Sequence, residues 1–202
     1  MDYGFVDCHG HISAPEFQQG LPDVIHRTRQ AGVKTLVAVT EGMEEFSRVL
    51  HLQERYLDLV APCLGLHPLQ AAGGQRSVQP PDLEEALPLF YNLRERLVAV
   101  GEIGLDFTPW CAPTQQDRDD QMKVFIGQLD VAMEMDLPVN VHCSQSHQRH
   151  HETAREIQRI PLDHICLETD SPARGLHRNV SRSPTFLRTD AETTVLFLPP
   201  SA

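Results

Sequence analysis

Short apolar runs alternate with longer amphipathic stretches along most of the chain. Phe5 to Cys8, Val33 to Thr40, Leu57 to Leu66, Leu97 to Val100, Val139 to His142 and Ile165 to Leu167 read as strands, most of them rich in β-branched residues and closed by turn formers. Such runs fit strands buried on both faces of a parallel sheet. Between them lie helical patterns. Pro22 and Gly32 bracket a helix whose apolar stripe is Val24, Ile25 and Thr28. Glu44 to Tyr56 reads as a second helix, with Phe46, Val49, Leu50 and Leu57 near helical spacing. Asp82 is expected to cap a third helix reaching about Arg96, with Pro88 kinking or shortening its middle. Thr114 caps the longest one, where Met122, Phe125, Ile126, Leu129 and Met133 are expected to pack in the core. Gln145 to Ile160 reads as a polar helix, and Ala71 to Pro81 as an exposed loop. Beyond Pro172 the pattern dissolves except for Val195 to Leu198, so residues 1–172 are expected to form one domain and 173–202 an irregular tail.

Strand and helix signals in alternation predict an α/β fold of parallel βαβ units, with functional groups gathered at the carboxyl ends of the strands. Length qualifies this picture. At 202 residues the chain is small for an eight-unit barrel, which typically takes about 250. A net charge of -11 argues against a protein that coats nucleic acid with a basic surface, so a phosphate substrate would need metal ions. Five cysteines without a CxxC pair fit a reducing compartment. The amino terminus has no basic stretch followed by an apolar one, and no apolar run approaches membrane-spanning length. A soluble intracellular protein, nuclear or cytoplasmic, is expected, with no membrane and no protein partner.

The candidate chemistry sits at the strand ends. Gly101 to Asp106 places Glu102 just after an apolar run, where the two glycines are expected to turn the chain. Taken alone, Glu102 reads equally as a helix cap or a solvated loop residue. His9 and His11, two apart in extended backbone, point the same way and can converge, although a surface pair is the other reading. His67 ends a third strand as a structural hydrogen-bonder or a substrate contact; His142 and Asp170 end two more. His9, His11, Glu102, His142 and Asp170 together, drawn from separate strand ends, point to a metal centre.

Asp7-Cys8-His9-Gly10-His11, Gly65-Leu66-His67-Pro68, Gly101-Glu102-Ile103-Gly104-Leu105-Asp106, Val139-Asn140-Val141-His142 and Glu168-Thr169-Asp170-Ser171-Pro172 jointly resemble the TatD family of metal-dependent deoxyribonucleases, part of the amidohydrolase-like barrel superfamily. The resemblance implies a (β/α)8 TIM barrel, here incomplete with about six strand units, and two divalent ions, with Zn, Mn and Mg undistinguished. His9, His11 and Asp170 would hold one ion, Glu102 would bridge, and His142 would help hold the second. Asp170 and Glu102 are the implied catalytic residues, Asp170 accepting a proton from a metal-activated water, and His67 would bind a phosphate oxygen of the substrate. The family's further histidine, from its sixth strand, has no counterpart. His147, His150 and His151 lie nearby, but none ends an apolar strand. An internally shortened form is therefore expected, its second metal site one ligand short. The implied substrate is DNA, as single strands or ends. Two other functions stay open: an inactive or weakly active variant, and hydrolysis of a small ester or amide on the same scaffold.

Overall fold

The computed structural model describes residues 4–71 and 74–144. In chain order these form β1 (Phe5–Gly10), α1 (Pro15–Gln18), α2 (Leu21–Gln30), β2 (Val33–Val39), α3 (Met43–Arg55), β3 (Val60–Leu64), β4 (Leu69–Gln70), β5 (Arg76–Ser77), α4 (Pro80–Leu93), β6 (Ala99–Asp106), α5 (Gln115–Glu134) and β7 (Val139–Ser144). A single 3-10 turn, Arg94–Arg96, joins α4 to β6. The expected polar helix over 145–160, the strand over 165–167 and the tail from 173 lie outside the described residues.

Five strands make one parallel sheet in the order β1-β2-β3-β6-β7, and β4 pairs with β5 as a separate antiparallel hairpin. Every sheet strand neighbours the one before it. A chain that never reverses direction across its sheet winds as the arc of a barrel does, whereas a doubly wound sheet changes direction at a switch point. Register brings the carboxyl ends level: Val39 opposes Cys63, and Gly104 opposes His142.

Both faces of the sheet are buried, which is why its strands read as apolar runs. Leu36, Ala38, Val60, Leu64, Val100 and Ile103 face the helices and pack with Ile25, Phe46, Val49, Phe90 and Val131. The opposite face carries the smaller cluster Val37, Val39, Cys63 and Ala99. Narrow side chains suit the inside of a tightly curved sheet.

β6 does not turn at Gly101; it continues to Asp106, so Glu102 lies within a strand. The glycines serve close approach instead. A Cβ at Gly101 would lie 2.5 Å from Asn140 Cβ, and one at Gly104, where φ is +152°, would lie 1.9 Å from the His142 carbonyl oxygen. β6 and β7 therefore come close only because these positions lack side chains.

On α5 the Thr114 cap holds, closed by Asp117, but the buried face is Gln121, Val124, Gln128, Val131 and Ala132. Met122, Ile126 and Met133 are exposed, Met133 by 71%; Phe125 and Leu129 only flank the core. Two glutamines occupy core positions because each clamps backbone: Gln128 donates to the Leu66 carbonyl and accepts from its N–H, and Gln121 does the same at Asp106. Leu57 also turns outward, at 77% exposure, while Leu52 packs on the core. Gln79 caps α4, with Asp82 accepting from its N–H, and the helix runs on through Pro88. Ser77 and Val78, placed in an exposed loop by the sequence, are buried. No helix among the described residues is long and apolar enough to cross a membrane.

Candidate metal centre

His9 lies in β1 and His11 just past its end; extended backbone turns both imidazoles to one side, with their Nε2 atoms 3.1 Å apart. Glu102 comes in from β6. Its N–H donates to the carbonyl of Thr40, beyond the end of β2, and its Oε2 lies 3.5 Å from His9 Nε2 and 3.6 Å from His11 Nε2. The other carboxylate oxygen faces a different pair. Oε1 accepts from His142 Nδ1 at 2.8 Å and lies 4.0 Å from His67 Nε2. The rings of His67 and His142 meet edge-on, with centroids 4.3 Å apart. Glu102, 3% exposed, thus stands between two histidine pairs.

Burial by itself would push the Glu102 carboxyl up, but His9 facing it, the hydrogen bond from His142 and the nearby His67 together hold it well below the usual carboxylate range. It is an anion. Burial lowers His67 to about 4, so its ring is neutral near pH 7. The Leu69 N–H donates to His67 Nδ1 at 3.0 Å, closer than the Leu69 carbonyl at 3.2 Å. With Nδ1 accepting, the His67 proton sits on Nε2, the atom turned toward Glu102. Burial and the Glu102 charge raise the Cys63 thiol well above its ordinary value, which leaves it inert.

Asn140 sets the state of His9. Its amide nitrogen donates to the Cys8 carbonyl at 3.0 Å, which turns its Oδ1 toward His9 Nδ1 at 2.9 Å. An amide oxygen only accepts, so Nδ1 bears a proton, and Nε2, turned toward His11 and Glu102, is the nitrogen on the metal-facing side. Donors at bond lengths of about 2.0–2.2 Å around a tetrahedral ion lie about 3.3–3.6 Å apart. Of the separations among His9, His11 and Glu102, 3.5 and 3.6 Å fall within that range and the 3.1 Å between the two imidazoles is slightly shorter. His67, Glu102 and His142 form a second group of possible ligands, in which the 4.0 Å gap between His67 and Glu102 is wider than neighbouring corners of one ion. Both groups offer donors to a divalent ion, the first more compactly than the second.

His9, His11, Glu102, His142 and His67 are therefore brought together, and Asp170 lies outside the described residues. Sequence reading passed over Asn140, whose signal was a lone amide between Val139 and Val141 in an apolar strand. It also left Asp106 without a role; the Asp106 carboxylate lies 4.0 Å from His142 Nε2.

A singly wound parallel barrel arc that gathers an acid and imidazoles toward the carboxyl side of its strands fits the amidohydrolase-like class of metal-dependent barrels. Residues 6–157 match the TatD related DNase family, and the chain belongs to that family of metal-dependent hydrolases and deoxyribonucleases. The Danio rerio protein tatdn3 is 42% identical over 236 aligned positions that take in 95% of this chain and 89% of the relative. Those positions exceed the 202 residues here, so the relative carries internal segments with no counterpart. The 3'-5' ssDNA/RNA exonuclease TatD of Dickeya dadantii is 30% identical over 71% of this chain and 50% of its own length. Among solved structures, the TatD homologue YjjV from Escherichia coli superposes with a TM-score of 0.61 at 31% identity, over 79% of this chain and 57% of YjjV. The chain thus spans a little over half of that solved homologue.

Proposed function

We propose that this chain hydrolyses phosphodiester bonds of DNA, as single strands or ends, with a divalent ion held by His9, His11, Glu102 and Asp170. The observation that carries the reading is the Glu102 carboxylate, one oxygen turned to His9 and His11 and the other to His142 and His67. Glu102 would serve both groups, with His142 beside it to help hold a second ion. When bound, ions of this kind neutralise phosphate charge and make water a nucleophile at neutral pH; nitrogen and oxygen donors suit Zn, Mn or Mg.

The chain's own residues do the rest. Asn140 keeps His9 in the ligating tautomer. Neutral His67 presents an Nε2–H that donates to a phosphate oxygen. Asp170, assigned from its Glu168 to Pro172 motif, accepts the proton released by water. The name of the Dickeya relative supports a single-stranded substrate, and the net charge of -11 supports recognition through metal. Residues 1–172 make up the hydrolase unit, with 173–202 outside it. Buried free Cys63 and Cys111 fit work in a reducing compartment. A second reading, a shortened form that holds one ion and turns over slowly, is favoured by the missing internal segments and the looser second group of ligands.

The test is cleavage of an end-labelled single-stranded oligonucleotide by chelator-stripped protein reloaded with each metal, beside closed circular duplex and p-nitrophenyl acetate. Metal-restored cleavage of the single strand is expected, with His67→Ala slower by about 100- to 1,000-fold, as for other lost transition-state donors, and with metal content unchanged. Hydrolysis of the acetate alone would replace the nuclease with an esterase. Metal lost from His67→Ala would make His67 a ligand.

A further inference from the structure

We infer that Trp110 is a stacking platform for an unpaired nucleobase at the mouth of the site, an inference that rests on the nuclease reading. Trp110 is 61% exposed, an unusual state for the largest apolar side chain in the chain. It stands four residues beyond Asp106, at the carboxyl end of β6, the end where the histidines and Glu102 gather.

The turn that presents it is anchored on both sides. Asp106 Oδ1 accepts from the Thr108 N–H at 2.9 Å, and the Thr108 carbonyl accepts from the N–H groups of Cys111 and Ala112. Thr108, Cys111 and Ala112, its neighbours in sequence, are buried while Trp110 is exposed. Gln121 ties the turn to α5, its amide oxygen accepting from Asp106 N–H and its amide nitrogen reaching the Asp106 carbonyl at 3.0 Å and Cys111 Sγ at 3.5 Å. Asp106 itself lies 4.0 Å from His142 Nε2, so the platform and the site share one support.

The rest follows from charge. With a net charge of -11, this chain is poorly furnished to hold a nucleic acid by its phosphates. A base stacked on an aromatic face gives affinity without positive charge and without sequence preference, and only an unpaired base offers that face. Trp110 would thus hold a base of the strand whose phosphate enters the site, and would favour single strands over duplex.

Trp110 is the chain's one tryptophan, so intrinsic fluorescence reports on this position alone. The metal-loaded chain is titrated with a labelled phosphorothioate oligothymidylate that resists cleavage, and with an abasic oligomer of equal length and charge; binding is followed by anisotropy. The base-bearing strand is expected to quench Trp110 and the abasic strand to leave it unchanged. Trp110→Ala should bind the oligothymidylate about 5- to 150-fold more weakly, the range for one lost stack. Trp110→Phe should retain most of the affinity, and abasic binding and metal content should stay as in the parent. Binding without any fluorescence change, or equal binding of both oligomers by the parent and by Trp110→Ala, would overturn the inference and leave the nuclease reading intact. Failure of the parent to bind either oligomer would overturn both.

Discussion

Asn140 is where one side chain decides what another can do. Its amide is locked by the Cys8 carbonyl, and that lock decides which nitrogen of His9 faces the metal position. Replacing Asn140 with Leu keeps the volume and removes both contacts. Metal affinity should fall by about 10- to 100-fold, the usual effect of losing a ligand's supporting hydrogen bond. Competition with a chromophoric chelator measures this, and affinity equal to the parent's would show that His9 needs no such support. His9 and His11 were legible as a pair because convergence over two residues follows from extended backbone. Asn140 was not, since its partners are 131 and 132 positions away.

Among the elements, α5 shows how backbone needs can displace an apolar stripe. Periodicity pointed to Met122, Ile126 and Met133, yet the buried positions go to Gln121 and Gln128, which meet N–H and carbonyl groups where β3 and β6 leave the sheet. An unpaired buried backbone group costs about 1–3 kcal/mol, so Gln128→Leu, which orphans both groups of Leu66, should destabilise by about 2–5 kcal/mol. For a chain of this size that is a fall in melting temperature of about 5–15 °C. Calorimetry of the two proteins decides it; an unchanged melt would mean that the leucine's burial offsets the loss. The α2 stripe of Val24, Ile25 and Thr28 and the Thr114 cap were read correctly because each depends on neighbours within a turn.

For the molecule as a whole, the relation to longer relatives matters most. An alignment with more positions than this chain has residues implies missing internal segments, and the loose His67, Glu102 and His142 group is where a further ligand would be needed. The chain is expected to retain about one ion, short of the pair that two-metal hydrolases use. Inserting the relative's extra segment should restore the second ion and raise cleavage, both measurable by metal analysis and by turnover on a labelled single strand. Two ions held tightly by the chain as it stands would refute this. The sequence by itself determined the main strands and helices of residues 5–144, the parallel sheet and the candidates His9, His11, His67, Glu102 and His142 that the fold brings together, because apolar period, capping and spacing are local properties of a chain. Tertiary structure decided that β6 runs straight through its glycines, that Glu102 divides its oxygens between two histidine pairs, that glutamines line the core face of α5 and that Asn140 governs His9. Each of these depends on which strand lies beside which, and on backbone groups that find partners only once distant segments have packed.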